Sequence, residues 1–372
     1  MKKEFMLVAS AATLLFMAAC NQVENEDSTD VSGDGAEKVI TDQLGREVTI
    51  PADVERVVNG GILPYYSTWY VATNSTEEIV GMHPNSYNAA ENSILAEMSP
   101  DVLEADTSFI QNGEVNVEEL LKVNPQVYFE NATDEKSIEK LAEAGVPTVA
   151  LKTIDVAEAE PLATFNSWLE LTGEITGTTD RVEQFLDKGE EVQSELNERL
   201  DEVDQEDKPK ILFLHQHTDK NIVVAGANFF GNQWIQATGG IDVAEDDITG
   251  TNEVNMEQIY AWNPDMIYIT NFTETQPEDL INNTVNGQDW SQVKAVQDGN
   301  VHKVPLGIYR WFPPSGDAPL MLKWMAQNNH PDLFDYDMVE EIQSYYSEFY
   351  DYDVTEEQAD QILHPSSDAA KQ

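Results

Sequence analysis

The sequence predicts an α/β protein of two similar lobes with a ligand cleft between them. Three observations predict it. One phrase occurs twice: residues 114–125 read Glu-Val-Asn-Val-Glu-Glu-Leu-Leu-Lys-Val-Asn-Pro and residues 253–264 read Glu-Val-Asn-Met-Glu-Gln-Ile-Tyr-Ala-Trp-Asn-Pro. The offset is constant (257 − 118 = 139), and each copy runs into a strand-like stretch, Val127 onward and Met266 onward. A lone repeat at so long a period indicates duplicated lobes, because solenoid units recur more often and at shorter spacing. Short apolar runs alternate with helical patterns on both sides of the chain's middle, as in parallel α/β lobes. Residues 158–203 break that alternation with helical spacing alone.

The amino terminus precedes the fold. Lys2 and Lys3 lead an apolar run from Phe5 to Ala19, followed by Cys20, the only cysteine. A charged start, a short apolar stretch and small residues before a cleavage point make a secretory signal over residues 1–19. Met17-Ala-Ala-Cys20 resembles the bacterial lipobox, which implies lipidation of Cys20 and a lipid anchor in the bacterial cell membrane. Residues 20–38 are acidic and poor in large apolar side chains, so they read as a flexible tether.

The first lobe spans 39–157. Val39–Thr41 and Val48–Pro51 form a hairpin around Leu44-Gly45-Arg46, and Arg56–Val58 begins a strand ended by Gly60-Gly61. A helix covers Leu63–Thr73 with Tyr65 and Tyr66 near its start. A strand at Glu78–Gly81 precedes a loop, His83–Asn88, that carries Tyr87. In the repeat, Asn116 and Asn255 are N-caps and Glu119 and Gln258 stand at N3, giving a capping box in each copy. Pro125 and Pro264 end the helices. Glu135–Ala144 is helical and Val149–Leu151 is a strand.

The connector, 158–203, holds two helices broken at Gly173–Gly177: Leu162, Phe165, Trp168 and Leu169 recur at helical spacing, then Val182, Phe185, Val192 and Leu196. The second lobe, 204–372, opens with the strand Ile211–Leu214 running into His215-Gln216-His217. Ile222–Ala225 is a strand and a helix follows Phe229-Phe230. After the second copy comes the loop Leu306–Asp317, with Arg310 and Trp311; residues 318–363 are a helical extension capping this lobe.

A hydrophobic content of 41% suffices for cores, while the net charge of −49 excludes nucleic acid as a partner. No GxSxG, P-loop or GxGxxG motif is present, so a hydrolase reading lacks a nucleophile with its base and the chain is read as a non-enzyme.

In open α/β sheets ligands sit beyond the carboxyl ends of strands. That rule selects loops containing Tyr65, Tyr66, His83, Tyr87, Asn88, His215, His217, Phe229, Phe230, Arg310 and Trp311 as ligand-binding candidates. An aromatic, amide-rich wall of this kind suits a bulky organic chelate. His215 and His217, two apart on a strand end, are expected to point to one face. They could then ligate one metal directly, hydrogen-bond a chelate, or be a solvated strand end. Arg310 would grip an anionic oxygen, stack on a planar ligand, or pair with Asp317 or another local carboxylate.

The lipobox, Thr41-Asp-Gln-Leu-Gly-Arg-Glu-Val-Thr-Ile-Pro51 with Arg56-Val-Val58, both repeat helices, Asp289-Trp290 through Val304-Pro305 and Phe349-Tyr-Asp-Tyr352 together resemble the substrate-binding lipoproteins of ABC importers, in the iron–siderophore, haem and cobalamin class. The resemblance implies two Rossmann-like lobes joined by a long α-helix. It also implies a monomer that delivers its ligand to an ABC permease and its ATPase. In that family a glutamate on each lobe pairs with permease arginines; the matching positions are Glu118 and Glu257. The expected ligand is a ferric chelate with no cofactor. The negative chain charge favours a neutral or cationic chelate such as a ferric hydroxamate. Haem, cobalamin or a nickel or cobalt chelate are alternatives, as is a ligand sensor for a surface kinase.

Overall fold

The computed structural model describes residues 36–153 and 160–371. The predicted signal segment, Cys20 and most of the tether lie outside them. Residues Glu37–Gln372 make one compact unit. No helix among the described residues is long and apolar enough to cross a membrane.

The first lobe begins with the antiparallel hairpin β1 (Glu37–Thr41) and β2 (Glu47–Pro51). There follow β3 (Val57–Asn59), α1 (Tyr65–Thr73), β4 (Ile79–Met82), α2 (Pro84–Glu91), α3 (Leu95–Met98), β5 (Ile110–Gln111), β6 (Glu114–Val115), α4 (Val117–Val123), β7 (Val127–Asn131), α5 (Glu135–Glu143) and β8 (Thr148–Leu151). Its main sheet is parallel throughout, in the order β4-β3-β7-β8. The connector is α6 (Ala163–Thr176) and α7 (Thr179–Leu200), separated by Gly177 in the left-handed region at φ 76°. At 1.5 Å per residue α7 is about 33 Å long, and it touches α1 of the first lobe as well as helices of the second.

The second lobe comprises β9 (Lys210–His217), β10 (Ile222–Ala225), α8 (Phe230–Ala237), β11 (Ile241–Asp242), β12 (Thr251–Val254), α9 (Met256–Trp262), β13 (Met266–Ile269), α10 (Pro277–Ile281), α11 (Lys294–Asp298) and β14 (Val301–Lys303). Strands β11, β9, β13 and β14 repeat the parallel order of the first lobe. The added strands β10 and β12 are antiparallel. Because β10 occupies the far end of the β9 edge, β11 pairs with only Lys210 and Ile211. The repeated phrase therefore builds the same unit twice, a strand end, a capped helix and a sheet strand.

Local chemistry explains that unit. The Asn116 carboxamide accepts from the backbone N–H of Glu118 and Glu119, and Asn255 from that of Gln258. The reciprocal half of the expected capping box is absent. Glu119 turns to Lys122 instead, and Gln258 donates to Asp247 at 3.2 Å. Each helix ends on an asparagine in the left-handed region, Asn124 at φ 52° and Asn263 at φ 42°, just before its proline. Asparagine tolerates that conformation better than any branched residue, so Asn and Pro act together.

The sheets are covered on both faces, which is why their strands read as unbroken apolar runs. Val57, Phe129, Ile211, Phe213 and Tyr268 face one continuous core that includes Trp168 of α6 and Leu196 of α7. Val58 and Tyr128 face a separate core under α4, while Leu212, Leu214 and Ile267 face another that includes Trp290. The first core is shared by both lobes and the connector.

Two expectations are corrected here. Residues 83–88 are not a loop: His83 caps α2, its Nδ1 accepting from Asn85 N–H at 3.1 Å, and Pro84 takes the first helical turn, where its missing N–H costs nothing. The extension, α12 (Ala318–Asn329), α13 (Met338–Tyr350) and α14 (Glu356–Leu363), does not cap the second lobe alone. Tyr350 packs on Tyr70 of α1 and on Phe185 of α7, with ring centroids 5.7 and 5.9 Å apart, so α13 ties the extension to the first lobe.

Candidate ligand cleft

In each lobe the strand order reverses between two neighbouring strands, β3 and β7 in the first and β9 and β13 in the second. Loops beyond the carboxyl ends at such points form ligand crevices. On the first lobe this places Gly60-Gly61 beside Glu130. A Cβ on Gly61 would lie 1.7 Å from Glu130 Oε1, so any larger residue here would have to displace that carboxylate. Glu130 is buried, and burial raises its pKa above the usual carboxylate value. Tyr66, also on this lobe, is buried with a hydroxyl that makes no hydrogen bond.

On the second lobe, His215 sits among aromatic rings: Phe272 at 5.0 Å, Phe229 at 5.6 Å and Phe312 at 5.6 Å between centroids. Phe230 extends this wall, 5.2 Å from Phe229. The Nδ1 atom of His215 is buried without a partner. Burial, with the positive charge of Arg310 second, lowers its pKa to about 4, and burial does the same to His302. The sign follows from linkage. Above the ordinary value of 6.5 both folded and unfolded chains hold neutral imidazole, and the group costs nothing. As pH falls from 6.5 to about 4 the unfolded chain is protonated first, so stability is lost, by about 3 kcal/mol for such a shift. Urea unfolding at pH 7 and pH 4.5 should therefore show a smaller acid loss in His215→Phe than in the wild type; equal losses would mean His215 is not held neutral.

His217 does not share that face, contrary to the expectation from its spacing. Val223 pairs with Gln216 but Val224 pairs with Leu214, leaving His215 as the extra residue of a β-bulge. A bulge shifts the alternation of the residues after it. His217 accordingly packs edge-on against Trp290 at 5.5 Å, on the opposite core. Both its ring nitrogens are engaged, with Thr275 Oγ1 at 3.0 Å and Gln288 Oε1 at 2.6 Å. A shared metal on the two histidines is excluded by this geometry. Among the described residues no three His, Cys, Asp or Glu side chains converge as a metal site.

Arg310 is 1% exposed. The alternative of a pair with Asp317 is not realised, because Asp317 already has four donors. Its carboxylate accepts from Ile308 N–H at 2.9 Å, Trp311 Nε1–H at 3.0 Å, Tyr346 Oη–H at 3.0 Å and Tyr350 Oη–H at 3.1 Å. Arg310 instead lies 4.6 Å over the Phe272 ring, and its Nη2 donates to the carbonyls of Ala369 and Lys371. Its Nε has no partner, and no carboxylate among the described residues forms an ion pair with it. Nearby, the buried Lys303 ammonium donates to the carbonyls of Thr270, Thr273 and Thr275 at 2.7–3.0 Å. Burial and then the Arg310 charge push its pKa down to about 7.

Three unpartnered buried groups are thus gathered here, Tyr66 Oη, His215 Nδ1 and Arg310 Nε. Tyr66 and Arg310 both lie within 6 Å of the Tyr309 ring, and Arg310 and His215 both pack on Phe272. Other candidates are placed elsewhere. Tyr65 is core, its hydroxyl 2.7 Å from Thr172 Oγ1 and its ring on Phe129. Trp311 is fully buried in the main core, its Nε1–H donated to Asp317. Tyr87 is half-buried and donates to the Leu103 carbonyl, and Asn88 is half-buried within α2. Sequence reasoning passed over Glu130, Phe272 and Lys303. Glu130 and Phe272 directly follow or lie close behind predicted strands, so the strand-end rule could have found them, whereas Lys303 ends β14, a strand seen only in the structure.

Glu118 and Glu257 are exposed in the first turns of α4 and α9. One helical turn further, Leu121 is 50% and Tyr260 36% exposed, again at matching repeat positions.

The comparisons agree with this architecture. A family model described as periplasmic binding protein matches residues 68–305. The chain is 25% identical over 333 residues to the molybdate-binding protein MolA of Haemophilus influenzae, covering 84% of this chain and 91% of that one. A periplasmic solute binding protein from Veillonella parvula superposes with a TM-score of 0.79 at 32% identity, over 88% of this chain and 97% of that one. Helicobacter pylori CeuE with Ni(II) bound shares the fold, with a TM-score of 0.68 at 20% identity over 88% and 100% of the two chains. The duplicated lobes, the crevice between them and these matches make the chain a member of the periplasmic binding protein family, an extracytoplasmic substrate-binding protein of an ABC importer.

Proposed function

We propose that the protein captures an anionic, oxygen-rich metal species, foremost a ferric chelate of the siderophore type, and hands it to the permease as a monomer anchored through Cys20. The supporting observation is the buried Arg310, which pairs with no carboxylate among the described residues, beside unpartnered Tyr66 and His215. A buried guanidinium without a counter-charge is costly, and an anionic ligand oxygen offsets that cost. This modifies the expectation of a neutral chelate: the chain charge of −49 acts at long range and is screened by salt, whereas Arg310 acts at contact. The aromatic wall of Phe229, Phe230, Phe272 and Phe312 favours an organic chelate. A compact oxyanion is the second reading, favoured by the relative that binds molybdate.

Delivery needs no covalent chemistry. Glu118 and Glu257, with Leu121 and Tyr260 beside them, present one surface twice, which suits a partner built of two matching halves. The double variant Glu118→Arg with Glu257→Arg should leave ligand affinity within about twofold and reduce uptake into cells more than about tenfold, since reversed charges face like charges. Undiminished uptake would remove both glutamates from the docking role.

A further inference from the structure

We propose that the segment Ser366–Lys371 is a positioning element of the ligand site, holding the Arg310 guanidinium through Nη2 in its place over the Phe272 ring. The inference rests on the reading of the cleft given above. Nη2 of Arg310 donates to the Ala369 carbonyl at 3.1 Å and the Lys371 carbonyl at 3.3 Å. Both acceptors belong to the end of a short 3-10 turn, Ser367–Ala370, where unsatisfied carbonyls suit a cation. The turn is locally built: Ser366 Oγ accepts from Asp368 N–H at 3.3 Å, and Lys371 Nζ lies 3.0 Å from Asp368 Oδ1. Ala369 is 5% exposed, so the turn is packed down rather than loosely laid.

The segment borders two cavities. One cavity of about 440 Å³ has Asn92 and Ser93 of the first lobe on one side and Ala369 on the other. A second crevice of about 860 Å³ runs between Ser367 and Ala370 and the residues His217, Phe272 and Thr275 of the second lobe. The carbonyls engage one end of the guanidinium and leave Nε–H without a partner. Pre-orienting a long side chain in this way contributes affinity by removing the ordering cost from the binding step.

The test compares the full chain with one lacking residues 366–372, both folded as judged by circular dichroism and thermal unfolding. The first readout needs no ligand: solvent exchange of the Arg310 Nε–H by NMR, assigned by its disappearance in Arg310→Lys. Exchange is expected to accelerate at least about tenfold on truncation. The second readout is affinity for molybdate and for ferric tris-catecholate. Truncation is expected to weaken binding of the recognised probe about tenfold, and to add nothing in the Arg310→Lys background, as required if the segment acts through that side chain. Unchanged exchange overturns the proposal whether or not a probe binds. So does a truncated chain that binds equally well, or more tightly, the latter marking the segment as a competitor. Failure of both probes on the full chain counts against the ligand reading alone. If the truncated chain does not fold, Ser366→Ala with Asp368→Ala removes the cap and the Lys371 pair and carries the same two readouts.

Discussion

Replacing Arg310 by methionine is expected to abolish high-affinity ligand binding while leaving the protein at least as heat-stable as the wild type. The two effects have one cause. Arg310 is 1% exposed, lacks a carboxylate partner among the described residues and has a free Nε. Deleting one partner of a desolvated charge contact costs roughly 2–5 kcal/mol, so a loss of about 100-fold in affinity is the expected scale. In the ligand-free fold the same charge is a burden, and an apolar side chain of similar length relieves it. The pattern to measure is Kd by titration together with Tm. A variant that melts early but binds normally would make Arg310 a structural residue. Lysine should not rescue binding, because the planar fork over Phe272 is what the site presents.

Asp317→Ala is expected to be the most destabilising single change near the cleft, by about 4 kcal/mol or more. Four donors converge on that carboxylate, and truncation leaves them buried and unpaired, each at roughly 1–3 kcal/mol before relaxation. The loss also reaches the site, since Ile308 and Trp311 flank Arg310 in the same loop and Asp317 fixes both. Burial raises the Asp317 pKa to about 6 from its ordinary 3.8. In that window the folded chain holds the proton more tightly than the unfolded chain, so this group makes stability fall as pH rises from about 4 to 6. Burial raises Asp242 to about 6 in the same way, and His215 and His302 act in the opposite sense to the two aspartates over nearly the same range. The wild type should therefore show a shallow profile between pH 4 and 6. Asp317→Ala should expose the histidine slope, and urea midpoints at several pH values would show it. An unchanged shallow profile would contradict the opposition.

The duplicated architecture was legible because its signals are local. Asn116 and Asn255 cap helices that Asn124-Pro125 and Asn263-Pro264 stop, and each strand then follows within a few residues. The site was legible only in part, because it depends on pairings distant in sequence. The spacing of His215 and His217 implies one face, but the register of β10 inserts a bulge that turns His217 to Trp290. Asp317 is seven residues from Arg310 and was one of its candidate partners, yet Tyr346 and Tyr350 of α13 claim it. The carbonyls that do hold Arg310 come from Ala369 and Lys371, far along the chain in a stretch with no recognisable pattern.

The most direct test is a tryptophan-fluorescence titration of the chain from residue 21 with ferric tris-catecholate, a ferric hydroxamate, molybdate, haem and nickel–histidine, repeated on Arg310→Met. Saturable submicromolar binding of an anionic member, lost in the variant, is the predicted result. Binding that survives in Arg310→Met, or a response to the neutral hydroxamate alone, would contradict an anion held by that buried guanidinium.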